Sequence, residues 1–281
     1  MKSSLSAMPQ LGSPMGLGLE YKTSNFSAAF LFLSRDQKEA LKAIYSFCRE
    51  VDDIVDQKRP GAAGILQAWE DFVNGRGDAP RPELGACLSE AVQKYGIARP
   101  YLVEIIGGVR MDLHQSRYET FEQLKKYCYG VASAVGLCCL PIFGVPVAEG
   151  TEYAVNLGLS FQLTNIIRDV ATDADRGRIY LPLEDLRGFH YTEGELLSKV
   201  YNRHFVDLLQ LQAQRARNFY QCAERSLPSS WRRQLLPARV MAAVYGKILD
   251  KIEKTGFRVF DGKIRLSAFS KWVAVVQEVL S

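Results

Sequence analysis

Apolar residues recur every three or four positions along almost the whole chain, the spacing of helices with one buried face. After Ser34, for example, Leu41, Ile44, Cys48, Val51 and Val55 fall on one side. Ser34-Arg-Asp-Gln37 has the form of a capping box, so a helix is expected to open there. Lys58-Arg-Pro60-Gly61 should end it, because proline and glycine stop helices. The same reading predicts a short apolar helix over 24–33, helices around 65–73 and up to about 95, and one from Arg99-Pro100 through Met111 and Asp112. The segment 74–82, with two Gly and two Pro, reads as a loop. Thr120-Phe-Glu-Gln123 looks like a second capping box, opening a helix over 121–135, and Thr192-Glu-Gly-Glu195 is expected to open a short helix. Further helices are expected over 152–173, 203–224, 232–255 and 267–279. No hairpin signal is present, so the expected fold class is all-α.

Small residues at Gly130, Ala132, Ser133, Ala134 and Gly136 suit either close helix packing or a kinked wall with room for a ligand.

Composition narrows the picture. A chain of 281 residues makes one large domain or two small ones. The net charge of +4 is too mild and dispersed to suggest nucleic acid as a partner. No apolar run is long enough to cross a bilayer. Residues 1–20, rich in Ser, Gly, Pro and Met, lack the apolar core of a signal peptide and read as a disordered tail before a helical domain over 21–281. The six cysteines form no Cys-x-x-Cys pair, and Cys138-Cys139 reads as two buried thiols. A reducing, cytoplasmic location follows. The three histidines, His114, His190 and His204, are scattered, and there is no Ser-His-Asp arrangement or nucleotide fingerprint.

Two stretches carry chemistry. In Gln162-Leu-Thr-Asn165-Ile-Ile-Arg168-Asp169-Val-Ala-Thr-Asp173 the residues Gln162, Asn165, Asp169 and Asp173 share a stripe roughly 80° wide on a helix. The other sides carry Leu163, Ile166, Ile167 and Val170, so this helix takes two carboxylates into the interior. That is costly unless they are paired or bound to a metal. In Tyr45-Ser-Phe-Cys-Arg49-Glu-Val-Asp52-Asp53-Ile-Val-Asp56 the residues Tyr45, Arg49, Asp52 and Asp56 lie within roughly 60° of one another. Arg49 can pair with Asp52 or with a phosphate. Two such faces across a cavity suit magnesium bridging carboxylates to a diphosphate. Arg176 and Arg178, in the basic and aromatic loop after the first stretch, can pair with the carboxylates or with phosphate, or simply lie on the surface.

With these residues in view, the chain resembles the trans head-to-head prenyl synthases: squalene, dehydrosqualene, phytoene and presqualene diphosphate synthases. The resemblance runs from about Tyr21 to Trp272. It rests on the two acidic stretches, on 127–136, on Gly177-Arg-Ile-Tyr-Leu-Pro182 and on Tyr245-Gly-Lys-Ile-Leu-Asp250. It implies a single helical bundle with a central cavity. Asp52, Asp56, Asn165, Asp169 and Asp173 would hold magnesium, and the four aspartates with Tyr127 would form the catalytic set. Tyr45, Arg49, Gln162, Arg168, Tyr180 and Tyr245 would contact the diphosphates or line the substrate sites. So would the N-terminal segment Lys22, Thr23, Ser24, Asn25 and Phe26, where Asn25 departs from the family's usual serine.

The reaction implied is condensation of two farnesyl diphosphates to presqualene diphosphate, without NADPH. The segments 131–136 and 256–260 and the Arg265-Leu-Ser end resemble that branch, in which other, downstream enzymes of the pathway complete squalene. The stretch 109–118 instead resembles phytoene synthases, which join two geranylgeranyl diphosphates. Phe30 could favour the shorter tail or simply pack. A complete squalene or dehydrosqualene synthase is a further alternative, and a non-catalytic prenyl-binding subunit is the reading of another class. Because the product is lipophilic, peripheral contact with the inner face of a membrane, through the last helix with Lys271 and Trp272, is a further expectation.

Overall fold

The computed structural model describes residues 32–280. The tail expected over 1–20, the segment Lys22–Phe26, Phe30 and all but the end of the helix expected over 24–33 lie outside the described residues. The rest is helical, and the one β-bridge among the described residues joins Arg117 to Ile179.

Helix α1, Arg35–Asp56, begins where the capping box puts it. The Ser34 hydroxyl accepts from the Gln37 amide at 3.3 Å, and the Gln37 side chain accepts from the Ser34 amide at 3.0 Å. Beyond Asp56 the chain turns through Lys58 and Gly61, both at positive φ. Helices α2 (Ala62–Val73), α3 (Pro82–Tyr95) and α4 (Arg99–Met111) follow. Pro82 and Pro100 sit in first turns, where a missing N–H costs nothing.

The helix expected over 121–135 departs from its prediction. Thr120 caps it, but Gln123 reaches back to the Glu119 amide at 2.9 Å and does not close the box. Regular helix α5, Phe121–Cys128, gives way to a π-helical turn over Tyr129–Ser133 and resumes as α6, Ala134–Ile142. The small residues explain the squeeze. A Cβ on Gly130 would lie 2.9 Å from the Glu104 carbonyl oxygen and from the Gly108 Cα on α4. Close packing and a distorted wall are therefore both present, because the turn is wedged between neighbours on two sides.

Helix α7, Val147–Asp175, is the axis of the bundle. It starts five residues before the expected 152, since Pro146 at its N-cap already fixes a helix-ready φ. Its middle is buried nearly all round, with Leu157, Gly158, Leu159, Ser160, Leu163, Thr164, Ile166 and Ile167 shielded from solvent. One apolar cluster, built on α1 to α4 and α6, reaches α7 as far as Leu157; a second takes over at Leu159. Short helices α8 (Leu183–Gly188) and α9 (Glu193–Leu197) lead to α10 (Arg203–Arg225), α11 (Leu236–Lys254) and α12 (Ala268–Leu280). The Thr192 capping box is complete. Cys128, Cys138 and Cys139 are buried free thiols, whereas Cys87 and Cys222 are exposed. No described helix is long and apolar enough to cross a membrane.

Candidate active site

The two acidic helices face one cavity of about 420 Å³ between α1, α4, the π turn, α6, α7 and α11. Most of its wall is apolar, with Ile44, Val109, Val131, Val135, Leu157 and Met241 among the lining residues. Polar groups gather at one end: Arg49 and Asp52 from α1, and Gln162, Asn165, Arg168 and Asp169 from α7. Tyr45, Tyr127 and Tyr245 also bound the cavity. Phe161 and Tyr245 stack at 4.3 Å and form an aromatic plate across it. Nine of the expected site residues thus meet at one chamber, as the two stripe directions require.

Asp56, Asp173 and Tyr180 do not line it. Asp56 is held by Arg178 at 2.6 Å and Arg176 at 2.7 Å. Both loop arginines therefore find a carboxylate 120 or more positions earlier in the chain. Asp173 and Tyr180 border a small crevice behind the wall with Arg178 and Ile179.

The carboxylates differ in charge preference. Burial and the neighbouring Asp56 push Asp52 up to about 6, against the pull of Arg49. Burial and Asp169 push Asp173 up to about 7. Asp169 goes the other way: burial opposes its charge, but the forked pairing with Arg168, and Lys263 at 3.1 Å, hold it below the usual carboxylate range. Arg49 bridges Asp52 at 2.7 Å and Asp53 at 2.8 Å. Among the described residues, no three His, Cys, Asp or Glu side chains already converge as a metal cage. The donor set nonetheless fits a hard divalent cation. The Asn165 Oδ1 atom is buried beside the carboxylates with no hydrogen-bond partner among the described residues. Asp52 and Asp173 are both crowded by a like charge. A cation with oxygen ligands would relieve both conditions.

Sequence reasoning missed one group. Asp112, just past α4, accepts from the Tyr180 hydroxyl at 2.9 Å and the Tyr127 hydroxyl at 3.0 Å. Tyr127 and Tyr180 stack at 5.1 Å, and Tyr118 packs on both. Backbone bonds from Ile179 to Ser116 and from Leu183 to Tyr118 sew the loop after α7 onto the loop after α4 and bring these partners together. Nothing in the local pattern marks Asp112; only the Tyr118 and Tyr180 spacings hint at aromatic loops. Burial lifts the Tyr127 phenol well above its ordinary pKa, and Asp112 adds to the rise, so this hydroxyl donates and is a poor base. Replacing Asp112 by Ala would orphan two phenols. We expect a loss of about 2 kcal/mol, or roughly 4–8 °C in melting temperature, with Asp112→Asn recovering most of it. Thermal melts of the two variants check this.

The comparisons agree with the geometry. The family model described as squalene/phytoene synthase matches residues 19–270. A 15-cis-phytoene synthase from Synechocystis sp. is 36% identical over 84% of this chain and 74% of its own length. A phytoene synthase from Arthrospira platensis is 34% identical over 85% of this chain and 82% of its own length. Among crystal structures, a dehydrosqualene synthase with a bound ligand superposes with a TM-score of 0.83 and 28% identity, over 94% of each chain. The squalene synthase HpnC from Alicyclobacillus acidocaldarius gives 0.76 and 25%, over 84% of this chain and 91% of that one. These curated relatives favour the phytoene alternative over the presqualene reading taken from segments 131–136 and 256–260. An all-helical bundle enclosing an apolar chamber with aspartates of two helices at one end, matched over most of its length, places the chain in the squalene/phytoene synthase family of prenyltransferases.

Proposed function

We propose that the protein joins two geranylgeranyl diphosphates head to head to give phytoene and two pyrophosphates. The observation that carries the condensation is the meeting of Asp52 and Asp169, with Arg49 and Arg168, at the polar end of one apolar chamber. The choice of the longer substrate is supported by the phytoene synthases at 34–36% identity.

Asp52, Asn165 and Asp169, at the polar end of the chamber, would hold magnesium, joined by Asp56 and Asp173 one turn further along the same helices once Arg176 and Arg178 release Asp56. Bound there, magnesium supplies positive charge that neutralises diphosphate oxygens and eases departure of pyrophosphate. Arg49, Arg168 and Lys263, now paired with carboxylates, are placed to take the diphosphate oxygens as charge-assisted partners. In the first step the C1–O bond of one substrate breaks. The double bond of the second attacks the allylic cation, and a proton leaves as a cyclopropane closes. The apolar wall keeps water from the cation, and the Phe161–Tyr245 plate presents π faces to it. Loss of the second diphosphate and one more proton gives the triene with no reductant, so NADPH has no role in the balance. Tyr127, fixed by Asp112, orients groups at the boundary of the polar end and does not serve as the base; released pyrophosphate is the proton acceptor.

A second reading has its own support. The dehydrosqualene synthase and HpnC structures match the fold closely, and would direct the chamber toward two farnesyl diphosphates. Incubating the protein with each diphosphate and magnesium, with and without NADPH, and extracting the products decides the matter. Phytoene from the longer substrate is expected. A C30 product or presqualene diphosphate in its place would establish the second reading. No pyrophosphate from either substrate would leave only a prenyl-binding role.

Metal binding has its own readout. Magnesium with inorganic pyrophosphate should raise the melting temperature by mass action, about 2.7 kcal/mol of stabilisation at a hundredfold excess over Kd. Asn165→Ala should shrink that rise. An unchanged melt on adding both would remove the metal from the scheme.

A further inference from the structure

The carboxylate that ends α1 is held by two arginines from the far end of α7. Arg178 donates to one Asp56 oxygen at 2.6 Å, and Arg176 donates to the other at 2.7 Å. Both guanidiniums start from a fixed origin. Arg176 caps α7 and Gly177 turns the chain at φ 74°, so side chains that leave the helix in succession return to one group. The Arg178 amide donates back to the Asp173 carbonyl at 2.9 Å, and the Arg117 side chain donates to the Gly177 carbonyl at 2.7 Å. Arg178 is the buried arm of this clamp, 14% exposed, and Arg176 is the open arm, 53% exposed.

The clamp differs from the other ion pairs of the site. Arg49 and Arg168 border the chamber, where a diphosphate would meet them in place. Arg176 and Arg178 are not among its lining residues; they tie the last residue of α1 to the end of α7. Burial works against the charge of Asp112 and of Asp173, and Arg178 offsets part of that for both. One guanidinium thus serves three carboxylates. A divalent ion on Asp56 would meet two like charges at contact range, which opposes its entry. An ion arriving with a diphosphate changes the balance, because the diphosphate offers both arginines new oxygens for charge-assisted pairs.

We propose that Arg178, assisted by Arg176, is the resident counter-cation of Asp56 and competes with the metal for it, so that the site resists the bare divalent ion and takes it up together with a diphosphate. The inference rests on the metal–diphosphate reading given above. The coupling is mutual: whatever factor diphosphate adds to metal affinity, metal adds to diphosphate affinity. Between turnovers Asp56 stays paired, so no bare charge is left in a half-buried place.

Equilibrium dialysis of the full chain against manganese, alone or with inorganic pyrophosphate, tests this by counting retained ions. Manganese takes the same oxygen octahedron as magnesium. The parent should bind manganese at least about tenfold more tightly with pyrophosphate than without. Arg178→Gln should bind manganese alone at least about tenfold more tightly than the parent does, and Arg176→Gln should gain less. Arg178→Lys keeps the charge and should stay near the parent. Asp56→Asn added to Arg178→Gln should cancel the gain, which assigns it to that carboxylate. Arg176 is the exposed arm, so its variant reports even where Arg178→Gln folds poorly. Equal or weaker binding of bare manganese by both neutral variants would overturn the proposal. So would a gain that Arg178→Lys shows in full, or one that Asp56→Asn leaves untouched. If the parent retains no manganese even with pyrophosphate, the metal–diphosphate reading falls and this inference with it; retention by the parent with unchanged variants sinks the clamp alone.

Discussion

Asp52→Asn and Asp169→Asn should each lower turnover by at least about 10³-fold, equivalent to ~4 kcal/mol of transition-state stabilisation. Helix content should stay intact. The two residues stand on different helices at the same end of one chamber, so either change removes half of the site that would carry the metal. The asparagines keep the shape and lose the charge, which separates catalysis from packing. Stability gives a second, signed readout. Asp52 has its pKa raised to about 6 by burial and by Asp56. A carboxyl raised in this way contributes its stability below the unfolded value near 4 and loses it as the pH climbs through about 6. Without metal, Asp52→Asn should therefore melt with the parent near pH 4 and above it beyond pH 6. Turnover near the parental rate in both variants would discard the acidic pair as the seat of the reaction.

Gly158→Ala should be strongly destabilising, because the added methyl would meet backbone. A Cβ at Gly158 would lie 2.5 Å from the Ser133 Cα and 2.6 Å from its nitrogen. Those are backbone atoms of the π turn, anchored by the Ser133 hydroxyl donating to the Val155 carbonyl at 2.8 Å. They cannot rotate aside as a side chain would. Overpacking of this kind costs about 3 kcal/mol, or roughly 6–12 °C in a chain of this size. Gly246→Ala is the control, because nothing lies within 4 Å of the added carbon there. Removing an internal helical glycine should leave stability unchanged or raise it by up to ~1 kcal/mol. Equal melting of the two variants would mean that the turn yields freely.

Helix boundaries were legible wherever the signal was local. Ser34 and Thr192 satisfy their own boxes within four residues, so the sequence alone was enough. Thr120 shows the limit: its partner Gln123 has a competing donor in the Glu119 amide. The acidic stripes were readable because helical periodicity is fixed: Tyr45, Arg49 and Asp52 of one and Gln162, Asn165 and Asp169 of the other reach the chamber, whereas the last member of each, Asp56 and Asp173, does not. The ion pairs of Asp56 with Arg176 and Arg178 were open beforehand only as one of three alternatives, beside phosphate and a surface role, since partners so far apart in sequence meet only after the bundle closes. Asp112 carried no periodic mark at all. Substrate length is hard to read for a different reason. The bulky residues that would limit a prenyl tail, such as Phe143 and Leu140 on the chamber wall, are the same types that fill any core.

The π turn also keeps a row of side chains in phase. Tyr127, Val131, Val135, Cys139 and Phe143 all border the chamber, spaced four apart. In an unbroken helix each such step overshoots a full turn by about 40°, so four steps would wind the row nearly halfway round, about 160°. One extra residue in a wide turn takes back about 100° of that. The drift left over is small enough for a single face to pave the chamber for some sixteen residues, a length of tunnel that an ideal helix cannot floor by itself.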